Sequence, residues 1–209
     1  MGSGIAQVAA SAGHEVFIYD NNPDALQRSR QQLAKIMARL VEKGKITSEE
    51  SDGIQNRITY IDSIFQFLEV GLVIEAIVER LDVKQAVFEQ LEDVLADDAI
   101  LATNTSSLPV AAIAAACQRP ERVLGLHFFN PAPLMALVEV VPAVQTNSAV
   151  AQQCFKLMQS WGKVPVMAKD TPGFIVNRVA RPFYGEALRI LEEGMADAAT
   201  IYWIMTELV

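Results

Sequence analysis

Histidine and cysteine are scarce in this chain, with two of each among 209 residues. With no Cys-x-x-Cys pair and so few imidazoles, the sequence carries neither a disulfide framework nor a zinc-site pattern. Cys117 and Cys154 read as small buried hydrophobes. Positive charge is also short: 17 Lys and Arg stand against 25 Asp and Glu, a net charge of −8. That balance excludes the basic surfaces by which proteins bind nucleic acid or anionic membranes. No apolar run approaches the ~18 residues of a membrane span. No basic segment followed by an apolar stretch marks an export signal, so a reducing cytoplasmic compartment is expected. Apolar residues are plentiful, at 51% against 20% charged, so the chain folds around a real core.

Short β-branched runs alternate with longer helical patterns. The strand-like runs are Val16–Tyr19, Leu72–Ile77, Ile100–Thr103, Val123–Leu126, Leu137–Val141 and Val164–Met167. Helical spacing fills Ser3–Ala12, Pro23–Glu42, Asp82–Leu95, Pro109–Ala116 and Ala149–Ser160. Runs such as Leu72-Val73-Ile74 are apolar on both faces, as strands of a covered parallel sheet are. Alternation at this spacing predicts an α/β, doubly wound, Rossmann-like domain over residues 1–170. After Thr171-Pro172-Gly173 the pattern becomes long helix, with Ile175, Val179, Phe183 and Ala187 on one stripe and Pro182 as a kink. A second helix is expected to start at Asp197, so residues 171–209 read as the beginning of an all-helical domain.

Met1-Gly2-Ser3-Gly4 runs straight into a helix, and the following strand ends in Asp20. This is the back half of a dinucleotide fingerprint, whose glycines bring a pyrophosphate to a helix N-terminus and whose acid accepts ribose hydroxyls. The strand and first glycines of the fingerprint are absent, so the expected sheet lacks its first strand. Asp20 favours NAD, because a carboxylate repels a 2′-phosphate.

His127 stands at the end of a strand, the edge where doubly wound sheets bind ligands. Glu139 lies in the next apolar run, where a buried carboxylate needs a partner. Two antiparallel strands joined by the turn Asn130-Pro131-Ala132-Pro133 would set Glu139 opposite His127. A carboxylate on one imidazole nitrogen fixes the tautomer and makes the other nitrogen a better base. Asn104-Thr105-Ser106-Ser107 ends another strand at the same edge, and Asn177 faces the domain junction from the first helix of the second domain. Lys35, Arg39 and Lys43 form a basic stripe on the long helix after Asp20.

Four segments resemble the L-3-hydroxyacyl-CoA dehydrogenase family: Asn104–Leu108, Gly125–Pro131, Leu137–Val140 and Asp170–Arg178. Glu75–Lys84 is similar to the family's cofactor-side segment, and the bacterial 3-hydroxybutyryl/3-hydroxyadipyl-CoA dehydrogenases of phenylacetate degradation look most alike. The resemblance implies NAD-dependent oxidation of an L-3-hydroxyacyl-CoA to the 3-ketoacyl-CoA, as in fatty acid β-oxidation. It implies His127 as the base with Glu139 orienting it, and Ser106, Asn130 and Asn177 holding substrate oxygens. It further implies Gly2, Asp20, Glu79, Lys84, Ser106 and Asn130 on the cofactor side, with Lys43 above all meeting coenzyme A. Partners implied are the acyl-CoA and a second copy through the helical domain, with no nucleic acid or membrane. Two other readings stay open: a β-hydroxyacid dehydrogenase of related architecture, which would use a lysine acid/base, and a non-catalytic fragment that binds acyl-CoA or a partner subunit. The missing first strand and shortened helical domain imply an internal piece of such an enzyme.

Overall fold

The computed structural model describes residues 1–207; Leu208 and Val209, the end of the expected helical segment, lie outside the described residues. Among the described residues seven strands form: β1 (Val16–Tyr19), β2 (Ile58–Ile61), β3 (Leu72–Glu75), β4 (Ile100–Thr103), β5 (Val123–Phe128), β6 (Leu137–Pro142) and β7 (Val164–Met167). α1 (Gly2–Ser11) precedes them, and the helices between them are α2 (Pro23–Glu42), α3 (Ser48–Asn56), α4 (Leu81–Val94), α5 (Val110–Ala114) and α6 (Ser148–Ser160). After β7 come α7 (Val176–Glu192) and α8 (Ala198–Glu207).

Local chemistry explains the helix starts. Asn22 accepts from the Asp24 amide at 3.0 Å with Pro23 in the first turn, where its missing N–H costs nothing. Thr47 and Glu50 form a reciprocal capping box on α3. Asp197 accepts from the Thr200 amide at 2.7 Å and starts α8 as the sequence predicts. Helix α7 runs unbroken through Pro182.

The strands divide into two sheets. β3, β4 and β5 are parallel, β6 turns back antiparallel to β5, and β7 runs parallel to β6. The antiparallel step makes the five-stranded sheet mixed, because the short proline-rich connection from β5 to β6 can only close a hairpin. β1 pairs with β2 in a separate parallel sheet. Sequence patterning does not single out β2 or α3. Helix α3 is polar, and the Ile58–Ile61 run of β2 follows it with a single residue between.

Helix α1 bridges the two sheets. Its Ala10 packs with Val16 and Ile18, while Ile5 and Val8 pack with Leu72, Ile74, Ile100 and Ala102. β4 and β5 are buried along their whole length, whereas β1 and β3 are only partly covered and each keeps one unpaired edge. The usual doubly wound order 3-2-1-4-5-6 accounts for this. β2 and β1 correspond to its places 3 and 2, β3 and β4 to places 4 and 5, and among the described residues no strand takes place 1.

Asp170 ties the end of the sheet domain to α5, accepting from the Val110 and Ala111 amides at 2.9 and 2.7 Å. The turn that follows is left-handed at Gly173 (φ +77°) and at Phe174 (φ +47°). A bulky residue in that region stores strain that the surroundings must hold. Phe174 is buried there, against the His127 ring at 5.6 Å. Beyond it, α7 and α8 have no buried residues.

Candidate active site

The β5–β6 hairpin sets His127 directly opposite Glu139. Their side chains meet, with His127 Nδ1 2.7 Å from Glu139 Oε2, and Glu139 is wholly buried. The second carboxylate oxygen, Oε1, accepts from the backbone amides of Ile175 and Val176 at 3.0 and 2.9 Å. Three donors therefore surround a carboxylate that water does not reach, which is what a buried charge requires. The strained Gly173–Phe174 turn is what points those two amides at it. Phe129 and Phe174 flank the imidazole, with centroids at 4.5 and 5.6 Å. With Nδ1 engaged, Nε2 is the nitrogen left to act on a ligand.

His127 opens on a cavity of about 370 Å³ whose lining includes Glu79, Lys84, Ser106, Asn130 and Asn177. Six of the expected site residues thus share one cavity, and Glu139 stands behind it. Asn177 reaches back from α7 to the Ser106 carbonyl at 3.4 Å, closing the far side. Asn104 acts as a strut here: its side-chain oxygen accepts from the Phe128 amide at 2.8 Å and so holds the end of β5.

Lys84 is bound inside the protein, and Glu79 meets it from the exposed side. Lys84, 1% exposed, donates to Glu75 at 2.7 Å and lies 3.3 Å from Glu79. Thr103 donates to the other Glu75 oxygen at 2.8 Å, so charge and hydrogen-bond needs are met together. Glu79 Oε1 collects the Thr105 hydroxyl, the Ser106 and Ser107 amides and the Ser107 hydroxyl. The carboxylate therefore moulds the turn that carries Ser106. Burial alone would raise the Glu79 pKa. The Thr105 and Ser107 hydrogen bonds, the Lys84 charge and the Ser106 amide outweigh burial and bring it down to about 2.

A carboxylate depressed in this way stabilises the fold above the unfolded pKa of about 4.3, and that stabilisation is lost as pH falls toward the folded value. Glu79→Gln should therefore unfold at lower temperature than the parent at neutral pH. The gap should narrow between about pH 4.3 and the folded value of about 2. Thermal unfolding across that range checks it, and a gap independent of pH would contradict the assignment.

Asp20, Gly2 and Lys43 lie outside this cavity lining. Asp20 follows β1 and is exposed, and its Oδ1 accepts from the Asn22 amide at 2.9 Å. Helix α1 has no side-chain cap and no acid in its first turn, so its leading amides are free for an anion. A Cβ at Gly4 would lie 3.3 Å from Pro133 and 3.4 Å from Ala132, so glycine there lets α1 approach the turn after β5. An uncapped helix start near an exposed strand-end acid suits a dinucleotide. Lys35, Arg39 and Lys43 are exposed along α2 and its C-cap. Among the described residues no group of three or more His, Cys, Asp or Glu is placed to hold a metal ion. Burial pushes both cysteine thiols up to about 12, as expected of core residues.

Sequence reasoning did not single out Phe129, Phe174, the Ile175 and Val176 amides, or Arg181, which also lines the cavity. The amides carry no side-chain signal. Arg181 looks like any solvated helix residue until the fold brings it beside Asn177.

Residues 1–171 match the family model described as 3-hydroxyacyl-CoA dehydrogenase, NAD binding domain, and residues 173–208 match its C-terminal domain. The chain is 50% identical over 201 residues to 3-hydroxyadipyl-CoA dehydrogenase of Escherichia coli K12, covering 96% of this chain and 42% of that protein. It is 42% identical over 205 residues to a probable 3-hydroxybutyryl-CoA dehydrogenase of Bacillus subtilis, covering 98% of this chain and 71% of that one. The crystal structure of (S)-3-hydroxybutyryl-CoA dehydrogenase from Ralstonia eutropha matches with a TM-score of 0.94 at 35% identity, covering 99% of this chain and 73% of the other.

Proposed function

The chain belongs to the 3-hydroxyacyl-CoA dehydrogenase family, and from that premise we propose that it oxidises L-3-hydroxyacyl-CoA to 3-ketoacyl-CoA with NAD. The observation that carries the reading is the 2.7 Å contact between His127 and a fully buried Glu139 at the mouth of a cavity that also holds Ser106 and Asn177. A lysine acid/base is the mark of the related β-hydroxyacid dehydrogenases. Here the cavity lysine, Lys84, is consumed by Glu75 and Glu79, which weighs against that alternative.

NAD is the cofactor of the family's N-terminal domain, and when bound it supplies the two-electron acceptor for the carbon that bears the hydroxyl. The chain's own residues do the rest. His127 Nε2 takes the hydroxyl proton, and the Glu139 charge stabilises the imidazolium that results. In the reverse direction the same imidazolium returns the proton. Ser106 and Asn177 hold the reacting oxygen, and Asn130 supports the same wall. Phe129 and Phe174 keep water from the imidazole. The free amides of α1 at Gly2 would hold the pyrophosphate, and Asp20 the adenosine ribose. Glu79 and Lys84 would act on the cofactor side by fixing the Ser106 turn.

NADH oxidation driven by a 3-ketoacyl-CoA tests the reading. Binding of both ligands without turnover would favour the non-catalytic alternative. NADH should be preferred over NADPH by at least about tenfold, because placing Asp20 against a 2′-phosphate sets like charges together. Asp20→Ser should narrow that ratio. Equal kcat/KM for the two cofactors in the parent would remove Asp20 from the ribose role.

The reading extends to acyl-CoA breakdown in the cytoplasm, phenylacetate catabolism included, by a homodimer. The free buried thiols fit a reducing compartment. Val179, Tyr184, Leu188 and Tyr202 stand 62–71% exposed on α7 and α8, an apolar surface suited to a second copy. No helix among the described residues is long and apolar enough to cross a membrane. Coenzyme A would meet Lys43 on the α2 stripe. The two relatives' names leave the acyl tail open, one ending in a carboxylate and the other in a methyl group.

A further inference from the structure

Lys163 follows α6 with no carboxylate within 4.0 Å of it among the described residues. Gly162, left-handed at φ +72°, closes the helix, and the Lys163 amide donates back to the Met158 carbonyl at 3.0 Å. With its backbone fixed in this way, the side chain reaches to the turn between β5 and β6. Its ammonium donates to the Ala132 carbonyl at 2.6 Å and to the Met135 carbonyl at 2.9 Å. Lysine heads are strongly hydrated and usually stay in water. This one is partly buried, and desolvation holds its pKa below the usual lysine range.

The turn it grips stands between the two halves of the site. Asn130, at the start of the turn, lines the His127 cavity. The Pro131 carbonyl accepts from the Leu134 and Met135 amides, both at 3.0 Å, which rounds the turn off. Ala132, 2% exposed, packs in one cluster with Ile5 and Val8 of α1. Ala132 and Pro133 also lie against Gly4, where a Cβ would come within 3.3 Å of Pro133. Met1, which precedes α1 as its cap, lines the same cavity as Asn130. The start of α1 therefore leans on a loop that Lys163 holds together.

We propose that Lys163 is a positioning residue for the dinucleotide. By tying Ala132 to Met135 it keeps the turn against the start of α1, and so sets the pyrophosphate-binding amides relative to His127. The inference rests on the dehydrogenase reading above and goes further by adding a residue that touches neither ligand. The imidazole does not depend on this tie. His127 is held by Glu139 across the hairpin, and the end of β5 is held by Asn104. Loss of the tie therefore separates cofactor affinity from proton transfer.

Fluorescence titration of the full chain with NADH tests the inference, with 3-ketoacyl-CoA kinetics and thermal unfolding run beside it. Lys163→Met keeps the apolar stem and removes the donors. It should weaken NADH binding about tenfold, the scale of hydrogen bonds to a charged group. The kcat at saturating NADH and its pH profile should stay near those of the parent. Lys163→Arg, whose planar fork can serve two carbonyls, should recover most of the affinity. Lys163→Gln gives the same reading as Lys163→Met should the methionine variant fail to fold. A lower unfolding midpoint with unchanged NADH affinity would overturn the inference, because it would make the lysine a stability contact alone. So would a loss that Lys163→Arg does not recover at all. A parent that binds NADH without turnover would overturn the dehydrogenase reading and leave the affinity comparison to decide the tie. A parent that does not bind NADH would overturn both.

Discussion

His127→Gln is expected to lower kcat by roughly 10²–10⁴, the range associated with a positioned acid–base group. Glutamine keeps a polar side chain of similar reach but cannot hold the transferred proton. Glu139→Gln is expected to cost as much for a different reason. Oε1 of Glu139 accepts two backbone amides, so a glutamine must turn its carbonyl toward them and its NH₂ toward His127. An NH₂ facing Nδ1 forces that nitrogen to accept, which puts the ring proton on Nε2, the atom that must receive the substrate's proton. The base is then blocked by its own tautomer. NADH affinity should survive both substitutions, because neither residue is assigned to the dinucleotide. Steady-state rates with a 3-ketoacyl-CoA, together with NADH fluorescence titration, check both parts. Full turnover in either variant would remove the pair from the mechanism.

A strand and glycine turn joined ahead of Met1 should raise the unfolding midpoint by about 10 °C or more, the shift expected from several kcal/mol in a chain of this size. β1 and β3 each expose one edge, and α1 already lies across both sheets. A strand of roughly five or six residues would pair on both sides and merge the sheets. It would also cover Phe17 and Tyr19, now 42% and 38% exposed, and the partly open β3. At ~1.5–3 kcal/mol per large apolar side chain buried, a few such residues count heavily in a total of ~5–15 kcal/mol. The glycine turn would add amides beside the start of α1, so NADH affinity should rise at least about tenfold, the effect of ~1.4 kcal/mol of added binding energy. Identical midpoints and affinities with and without the added strand would show that the split sheet is sufficient as it stands.

The hairpin register was legible because chemistry and geometry agreed. A histidine and an acid twelve residues apart, each in an apolar run, with prolines between, admit few pairings in which the carboxylate is satisfied. β2 was not legible, because Ile58–Ile61 is a short run after a polar helix and takes its identity from pairing with β1. Glu79 and Lys84 enter the expected site only through the family resemblance, and nothing in a linear sequence shows that Glu75, four residues before Glu79, would take the lysine's charge. The α2 stripe ending at Lys43 follows from periodicity alone, and periodicity does not say what stands opposite a helix face.

The two amides at the start of α7 make the helical segment a working part of the imidazole pair. They supply two of the three donors to Glu139, and they reach it only while the Gly173–Phe174 turn keeps its left-handed shape. Linkage runs both ways: the seated α7 supplies amides to the carboxylate, and the carboxylate holds the start of α7 in place. If α7 swings away, a fully enclosed charge is left with the imidazole as its last donor. Proton-transfer competence is then conditional on helix docking. Any contact that presses α7 home, whether from an acyl chain or from a second subunit, tightens a latch on the base without touching the imidazole.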